Sequence, residues 1–313
     1  METDTTQIPL TEPTRCVRLK TLPPMPAVFC KLLALSLVRK PGLPSNARVP
    51  KVQLLLSGFV PDPKKISRYR QLCGFSHTPE DRTIPPSFLQ TLFIGMLGRY
   101  VTSHFFPVNP MGLIQTGQSF EAIQPVGIYD TLDLTCTLKD MTRTSKGITT
   151  RFHLQIHTKN TLVWQGISTY LTRNPVPGTT PKKPIKDRFL PPRLTIQVPA
   201  DTGRRYAQVS GDYNPHHLFH TTARLLGFKQ AIAHGMWSLA RTLAGLEQTM
   251  AFSRTFTVDA AFKLPIFMPA TLTLGYEHII AKHVQNLIYF ELRDAAGRRP
   301  HLKGNVHFLD RDR

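Results

Sequence analysis

Phe262–Leu274 reads FKLPIFMPATLTL, and Ala122–Leu134 reads AIQPVGIYDTLDL. The two align without a gap: Pro125 falls on Pro265, Leu132 on Leu272 and Leu134 on Leu274. Each is followed by alternating segments, GITTRFHLQIH and TLVWQGISTYL after the first, VQNLIYFELRD and LKGNVHFLD after the second. Period-two alternation rich in Thr, Val, Ile, Phe and Tyr, punctuated by Gly, Asn and Lys, predicts antiparallel strands. Upstream of each run lies one helical pattern. In the second it is IAHGMWSLARTLAGLEQ, with Met236, Leu239, Ala240, Leu243 and Ala244 on one face. In the first it is IPPSFLQTLFIGMLGRY, apolar almost all round and therefore expected to be buried.

Each half thus predicts a short entry strand, a small helix, one long apolar helix and a run of antiparallel strands. A curved sheet wrapped around a buried helix satisfies that order, and two such units can join sheets edge to edge. The expected class is α+β.

The chain of 313 residues is long enough for about two domains, at ~100–200 residues each. The expected division is an N-terminal extension with a short amphipathic helix (1–46), a first half (47–172), a Pro/Lys-rich linker (173–189) and a second half (190–313). The linker is read from RNPVPGTTPKKPIKDR, whose prolines favour an extended spacer. The apolar fraction of 41% supports a packed core and excludes whole-chain disorder.

Cys16, Cys30, Cys73 and Cys136 form no CxxC pair, which argues against a disulfide framework or a cysteine zinc site. The polar, acidic start METDTTQ is not a secretory signal, and the apolar stretch 26–38 is too short to span a bilayer. A cytoplasmic protein is the expectation. GxSxG, Walker and GxGxxG motifs are absent, which removes several enzyme classes.

The net charge of +19 admits nucleic acid, an anionic small molecule or a basic solvated surface. No nucleic-acid module or aromatic-basic interleaving supports the first.

The chemistry concentrates in YAQVSGDYNPHHLF, Tyr206–Phe219, and GFKQAIAHGMWS, Gly227–Ser238. A helical turn is expected to stop at Gly211, leaving Asp212 on a tight turn shaped by Asn214 and Pro215. His217 lies five residues on, across that turn, so carboxylate and imidazole can share one water as an acid/base pair. Gly235 opens the long helix, where unpartnered N–H groups and the helix dipole favour a developing negative charge. Together these point to chemistry beside a polarised carbonyl, with an enolate to stabilise. A metal site of Asp212 with His216, His217 and His220 lacks convincing ligand spacing.

The run Tyr206-x-x-x-Ser210-Gly211-Asp212-x-Asn214-Pro215-x-His217, with Ala233-His234-Gly235-Met236 downstream, resembles the MaoC-like dehydratase or (R)-specific enoyl-CoA hydratase family. The resemblance covers 194–310. It implies a double hot-dog fold and reversible hydration of trans-2-enoyl thioesters to (R)-3-hydroxyacyl thioesters, with no cofactor. By resemblance, Asp212 and His217 hold and activate the water, Asn214 organises the turn, and the Gly235 N–H receives the thioester oxyanion. His216 departs from the family, which usually has an aliphatic residue there.

In the first half, YRQLCGF aligns with YAQVSGD, so Phe75 stands where Asp212 stands and no NPxH follows. Ile84-Pro85-Pro86-Ser87-Phe88 takes the place of Ile232-Ala233-His234-Gly235-Met236, and proline has no N–H. That half resembles the non-catalytic half of double hot-dog hydratases, expected to complete a pseudo-dimer and wall the acyl pocket.

The expected partner is an acyl thioester, on coenzyme A or an acyl carrier protein, both anionic. Arg204 and Arg205 are candidate carrier-phosphate contacts, with Lys182, Lys183, Arg298 and Arg299 as further basic positions. A pseudo-dimeric monomer or a homodimer is expected, with no nucleic acid, no metal and no transmembrane segment. The alternatives are an acyl-thioester binding protein without turnover and a hot-dog thioesterase.

Overall fold

The computed structural model describes residues 6–38, 43, 47–76, 82–110, 112–173, 189–250, 252, 255–281 and 284–309. The N-terminal region supplies β1 (Thr6–Ile8), β2 (Leu10–Arg18) and α1 (Met25–Val38). The first half is β3 (Val49–Phe59), α2 (Pro63–Cys73), a central helix, and strands β4 (Leu113–Ala122), β5 (Leu132–Thr144), β6 (Gly147–Thr158) and β7 (Thr161–Arg173). Its central helix comes in three pieces: α3 (Pro86–Leu89), a 3-10 turn at Gln90–Phe93, and α4 (Ile94–Val101). The second half repeats the order. It has β8 (Pro192–Val198), α5 (Thr202–Ser210), α6 (Pro215–Leu218), α7 (His220–Leu225) and α8 (Gly235–Glu247). Four strands close it: β9 (Phe256–Phe262), β10 (Ala270–Ala281), β11 (Val284–Asp294) and β12 (Pro300–Phe308). The fold is α+β, a double hot-dog in which each sheet half curves around its own helix.

Local chemistry explains the matched helices. The Asp62 carboxylate accepts from the Lys64 N–H at 2.9 Å, and Pro63 occupies the first turn of α2. Both α2 and α5 stop on a left-handed glycine, Gly74 at φ 81° and Gly211 at φ 80°. The strands alternate as expected: Leu132, Leu134, Cys136 and Leu138 on β5 all face the core.

The two sheets are not separate. They merge into one, in the order β2-β3-β5-β6-β7-β4-β9-β12-β11-β10-β8. The join is the antiparallel pair β4–β9, with Gln118 opposite Ala260 and Phe120 opposite Val258. Joining there pairs two strands that would otherwise be exposed edges. The small helices meet on the helical side of the sheet, where the Tyr69 and Tyr206 rings lie 6.0 Å apart. Because these tyrosines occupy equivalent positions of the repeat, their contact marks the pseudo-twofold relating the halves.

Helix α1 forms inside the expected N-terminal extension but is not two-faced; Lys31 is its one charged residue. It docks by close approach to α4, where side chains at Gly95 and Gly98 would collide with Pro23 and Val28. The expected linker at 173–189, with Lys182 and Lys183, lies outside the described residues apart from its two ends. Among the described residues, no helix is long and apolar enough to cross a membrane.

Candidate functional site

The turn after α5 is built from its own sequence. Ser210 Oγ donates to the Tyr206 carbonyl at 2.8 Å and accepts from the Asp212 N–H at 3.1 Å. The Asn214 N–H donates to Asp212 Oδ1 at 3.3 Å, and the Asn214 carbonyl accepts from the His217 N–H at 2.9 Å. Asn214 therefore organises the turn through its backbone, aiming the carboxylate from one side and fixing His217 from the other. The His217 backbone presses on α5 at Gly203, where a Cβ would strike the His217 carbonyl. Sequence reasoning passed over Gly203, because nothing in the local pattern reveals a contact fourteen residues away.

His217 is buried, and its Nδ1 lies 2.7 Å from the Ile232 carbonyl. A carbonyl only accepts, so Nδ1 carries the proton and Nε2 keeps its lone pair. His234 is buried as well, with Nε2 2.9 Å from the Asp212 carbonyl, so its proton sits on Nε2. The same Nε2 lies 4.0 Å from Asp212 Oδ2. The two imidazoles stack at 3.7 Å, with His216 against His217 at 4.0 Å and Tyr206 against His234 at 4.9 Å.

Burial is the main cause holding these rings neutral. It drives His217 well below the usual imidazole range, helped by His234 and His216 and opposed by Asp212 and the Ile232 bond. His234 is pushed down to about 3, again chiefly by burial. His216 is lowered by burial and partly restored by Asp212.

Asp212, His217 and His234 offer ligand atoms all within 4.8 Å of one another. His217 Nδ1 and His234 Nε2 are tied to carbonyls, which leaves His217 Nε2 and His234 Nδ1 as the ring nitrogens not so committed. Of the set Asp212, His216, His217 and His220, the described residues bring together only Asp212 and His217 at that point, and His220 Nδ1 accepts from the Ala231 N–H at 3.1 Å.

Gly235 is the first residue of α8, and no side chain caps that end. A Cβ there would lie 3.0 Å from the Phe262 ring. The glycine leaves no side chain at the helix N-terminus, next to the His234 ring that stacks on His217. His234, the buried N-cap residue of α8, joins the Asp212 turn to the His217 ring. The AHG spelling could not reveal that, since the stack forms across seventeen residues. Arg204 and Arg205 are exposed; Arg204 donates to the Leu218 carbonyl at 3.2 Å and lies over the Phe219 ring at 5.4 Å.

The equivalent region of the first half is filled. Phe75 is buried and stacks on Tyr69 at 6.1 Å. The register of the following segment differs by one residue from the sequence alignment. The Ile84 N–H donates to the Val126 carbonyl as the Ala233 N–H donates to the Ile266 carbonyl. Ile84 thus matches Ala233, Pro85 matches His234 and Pro86 matches Gly235. The strand contacts fix this register, whereas the alignment had followed the shared isoleucine. Proline opens α3 where glycine opens α8, so the first half lacks the N–H itself.

Residues 177–296 match the family model of the MaoC like domain. The chain is 26% identical over 238 residues to 3-hydroxyacyl-thioester dehydratase X of Mycobacterium tuberculosis, spanning 75% of this chain and 83% of that protein. The crystal structure of HtdX from the same organism superposes with a TM-score of 0.69 at 24% identity, over 82% of this chain and 100% of that one. A MaoC-like dehydratase from Phytophthora capsici gives 0.65 at 18% identity, over 84% and 96%.

Proposed function

The chain carries a MaoC-like domain over residues 177–296, and on that premise we propose that it is an acyl-thioester hydro-lyase, interconverting trans-2-enoyl and (R)-3-hydroxyacyl thioesters. The coarser part of this reading, a 3-hydroxyacyl-thioester dehydratase, rests on the domain and on its relative from M. tuberculosis. The single observation that carries the finer part is the joint placement of Asp212, the bare Nε2 of His217 and the open N-terminus of α8.

In this reading a water lies between Asp212 and His217 Nε2. The imidazole has no proton to give at Nε2, so it accepts a hydrogen bond from the water and orients it. Asp212 takes the water's proton as the oxygen bonds to C3. The C2–C3 π electrons move to the thioester oxygen, and the enolate forms against the Gly235 N–H. Asp212 then returns the proton to C2, which regenerates its carboxylate and completes the addition of one water. Dehydration is the same path reversed.

In this reading 190–313 is the catalytic half and 47–172 the non-catalytic half, and the exposed Arg204 and Arg205 contact the carrier's phosphates. The test is incubation with crotonyl-CoA and its carrier-protein analogue, followed by chiral analysis of the product. The reading expects loss of enoyl absorbance and an (R)-3-hydroxy product. Thiol release would indicate a thioesterase, and binding without turnover a binding protein.

A further inference from the structure

The two halves differ in length between the turn and the opening of the central helix. The first half runs from Phe75 to its strand contact at Ile84 in nine residues, whereas the second takes twenty-one, from Asp212 to Ala233. The added length builds α6, which carries His217, and then α7 with its loop to Lys229. That second piece supplies no group to the chemistry.

It is nevertheless tied directly to the site. The Thr222 hydroxyl donates to the Pro215 carbonyl at 2.6 Å, and the Ile232 N–H donates to the His216 carbonyl at 3.0 Å. Ala223 is fully buried, Phe228 packs against the core, and the Phe228 N–H donates to the Ala223 carbonyl at 3.0 Å. Helix α7 is therefore pinned from beneath. Its outer side is left apolar: Leu225 is 86% exposed, with Phe219 at 51% and Leu226 at 39%. Exposed apolar residues scattered singly are ordinary, but three along one pinned segment beside a reactive turn mark an interaction surface.

The charge here has one sign. Between Asp201 and Glu247 the one acidic residue is Asp212, which belongs to the site. Arg204, Arg205, Arg224 and Lys229 are all exposed. The Arg204 guanidinium lies over the Phe219 ring at 5.4 Å, and Arg224 Nε donates to the Lys229 carbonyl at 3.4 Å, so cations and apolar groups interleave. Phosphates alone answer the cations and leave the leucines in water. An acidic protein with apolar side chains answers both, its charge steering encounter and its apolar groups supplying the dry contact.

Resting on the hydro-lyase reading above, we propose that α7 and its loop to Lys229 dock an acidic carrier protein, which delivers its thioester to Asp212 and His217. Leu225 and Leu226 are the apolar contact. Arg224 and Lys229 pair with the carrier's carboxylates, while Arg204 and Arg205 remain for the phosphate of its prosthetic arm.

The test compares crotonyl-CoA with crotonyl-loaded acyl carrier protein in the wild type, Leu225→Glu and Arg224→Glu. Both positions are exposed, so folding is expected to be retained. With the carrier-protein substrate kcat/KM is expected to fall ~10-fold or more, mainly through KM and most steeply at low salt. With crotonyl-CoA it is expected to stay at the wild-type value. Calorimetric titration with unacylated carrier protein reads docking without turnover, and the same variants are expected to weaken it by a similar factor. Variants that match the wild type in carrier turnover and titration overturn the proposal, as does an equal loss with both substrates. Wild-type binding to phosphatidylglycerol vesicles that Leu225→Glu abolishes, without carrier binding, assigns the surface to a membrane and overturns it too. A wild type that binds carrier protein but hydrates neither substrate overturns only the hydro-lyase reading.

Discussion

The imidazole of His217 lies stacked on that of His234, ring centres 3.7 Å apart and planes 27° from parallel. The stack locks the orientation of His217 Nε2, because each ring also has one nitrogen bound to a carbonyl. His234→Ala removes both the ring support and the donor to the Asp212 turn. Steady-state kinetics should show kcat lower by ~100-fold, the order expected for ~1 Å misplacement of a reacting group. His234→Gln, which keeps a donor at a similar reach, should lose less.

The same burial sets a pH dependence for stability. A histidine held neutral in the folded protein binds a proton more readily when unfolded, so its contribution is present above the unfolded value of about 6.5 and declines as pH falls below it. For His234 the decline continues to about pH 3. Each such group adds up to ~1.4 kcal/mol per pH unit within its window. The melting temperature should therefore fall between pH 7 and pH 4, and more gently in His234→Gln. An unchanged slope in the variant would contradict the buried, neutral ring.

Gly235→Pro copies into the second half what Pro86 already does in the first. Proline suits the first turn of a helix, but its Cβ must push the Phe262 ring aside by a few tenths of an ångström, so folding should be retained with a lowered melting temperature. The lost N–H should lower kcat by ~10²–10³-fold, the usual cost of removing one oxyanion donor, with KM changing little.

Restoring one residue to the first half should not make a second site. Phe75→Asp supplies the carboxylate but neither the imidazole nor the N–H that Pro86 lacks, so turnover per chain should not rise. The substitution should cost ~3 kcal/mol or more in denaturant melts, because it empties a packed site and buries a carboxylate.

The sequence revealed these features unevenly, for physical reasons. The repeat, the stop at Gly211 and the opening of α8 at Gly235 were legible because each follows from local conformational preference. Asp212 and His217 were legible because one short turn carries both. The contacts of His234 and Gly203 were not, since they form across long sequence separations. The one-residue slip at Pro85 and Pro86 has the same origin. Similar letters favoured Ile84 on Ile232, while the backbone bonds to Val126 and Ile266 set a different register.

The most direct measurement is the initial rate of crotonyl-CoA hydration by the wild-type protein and by Asp212→Asn, the enoyl absorbance being followed at equal enzyme concentration. Asparagine keeps the shape of the turn and cannot take the water's proton. The account predicts steady loss of absorbance with the wild type and a rate lower by at least ~10²-fold with the variant, the range for removing a general base. An Asp212→Asn protein that hydrates at the wild-type rate would contradict it.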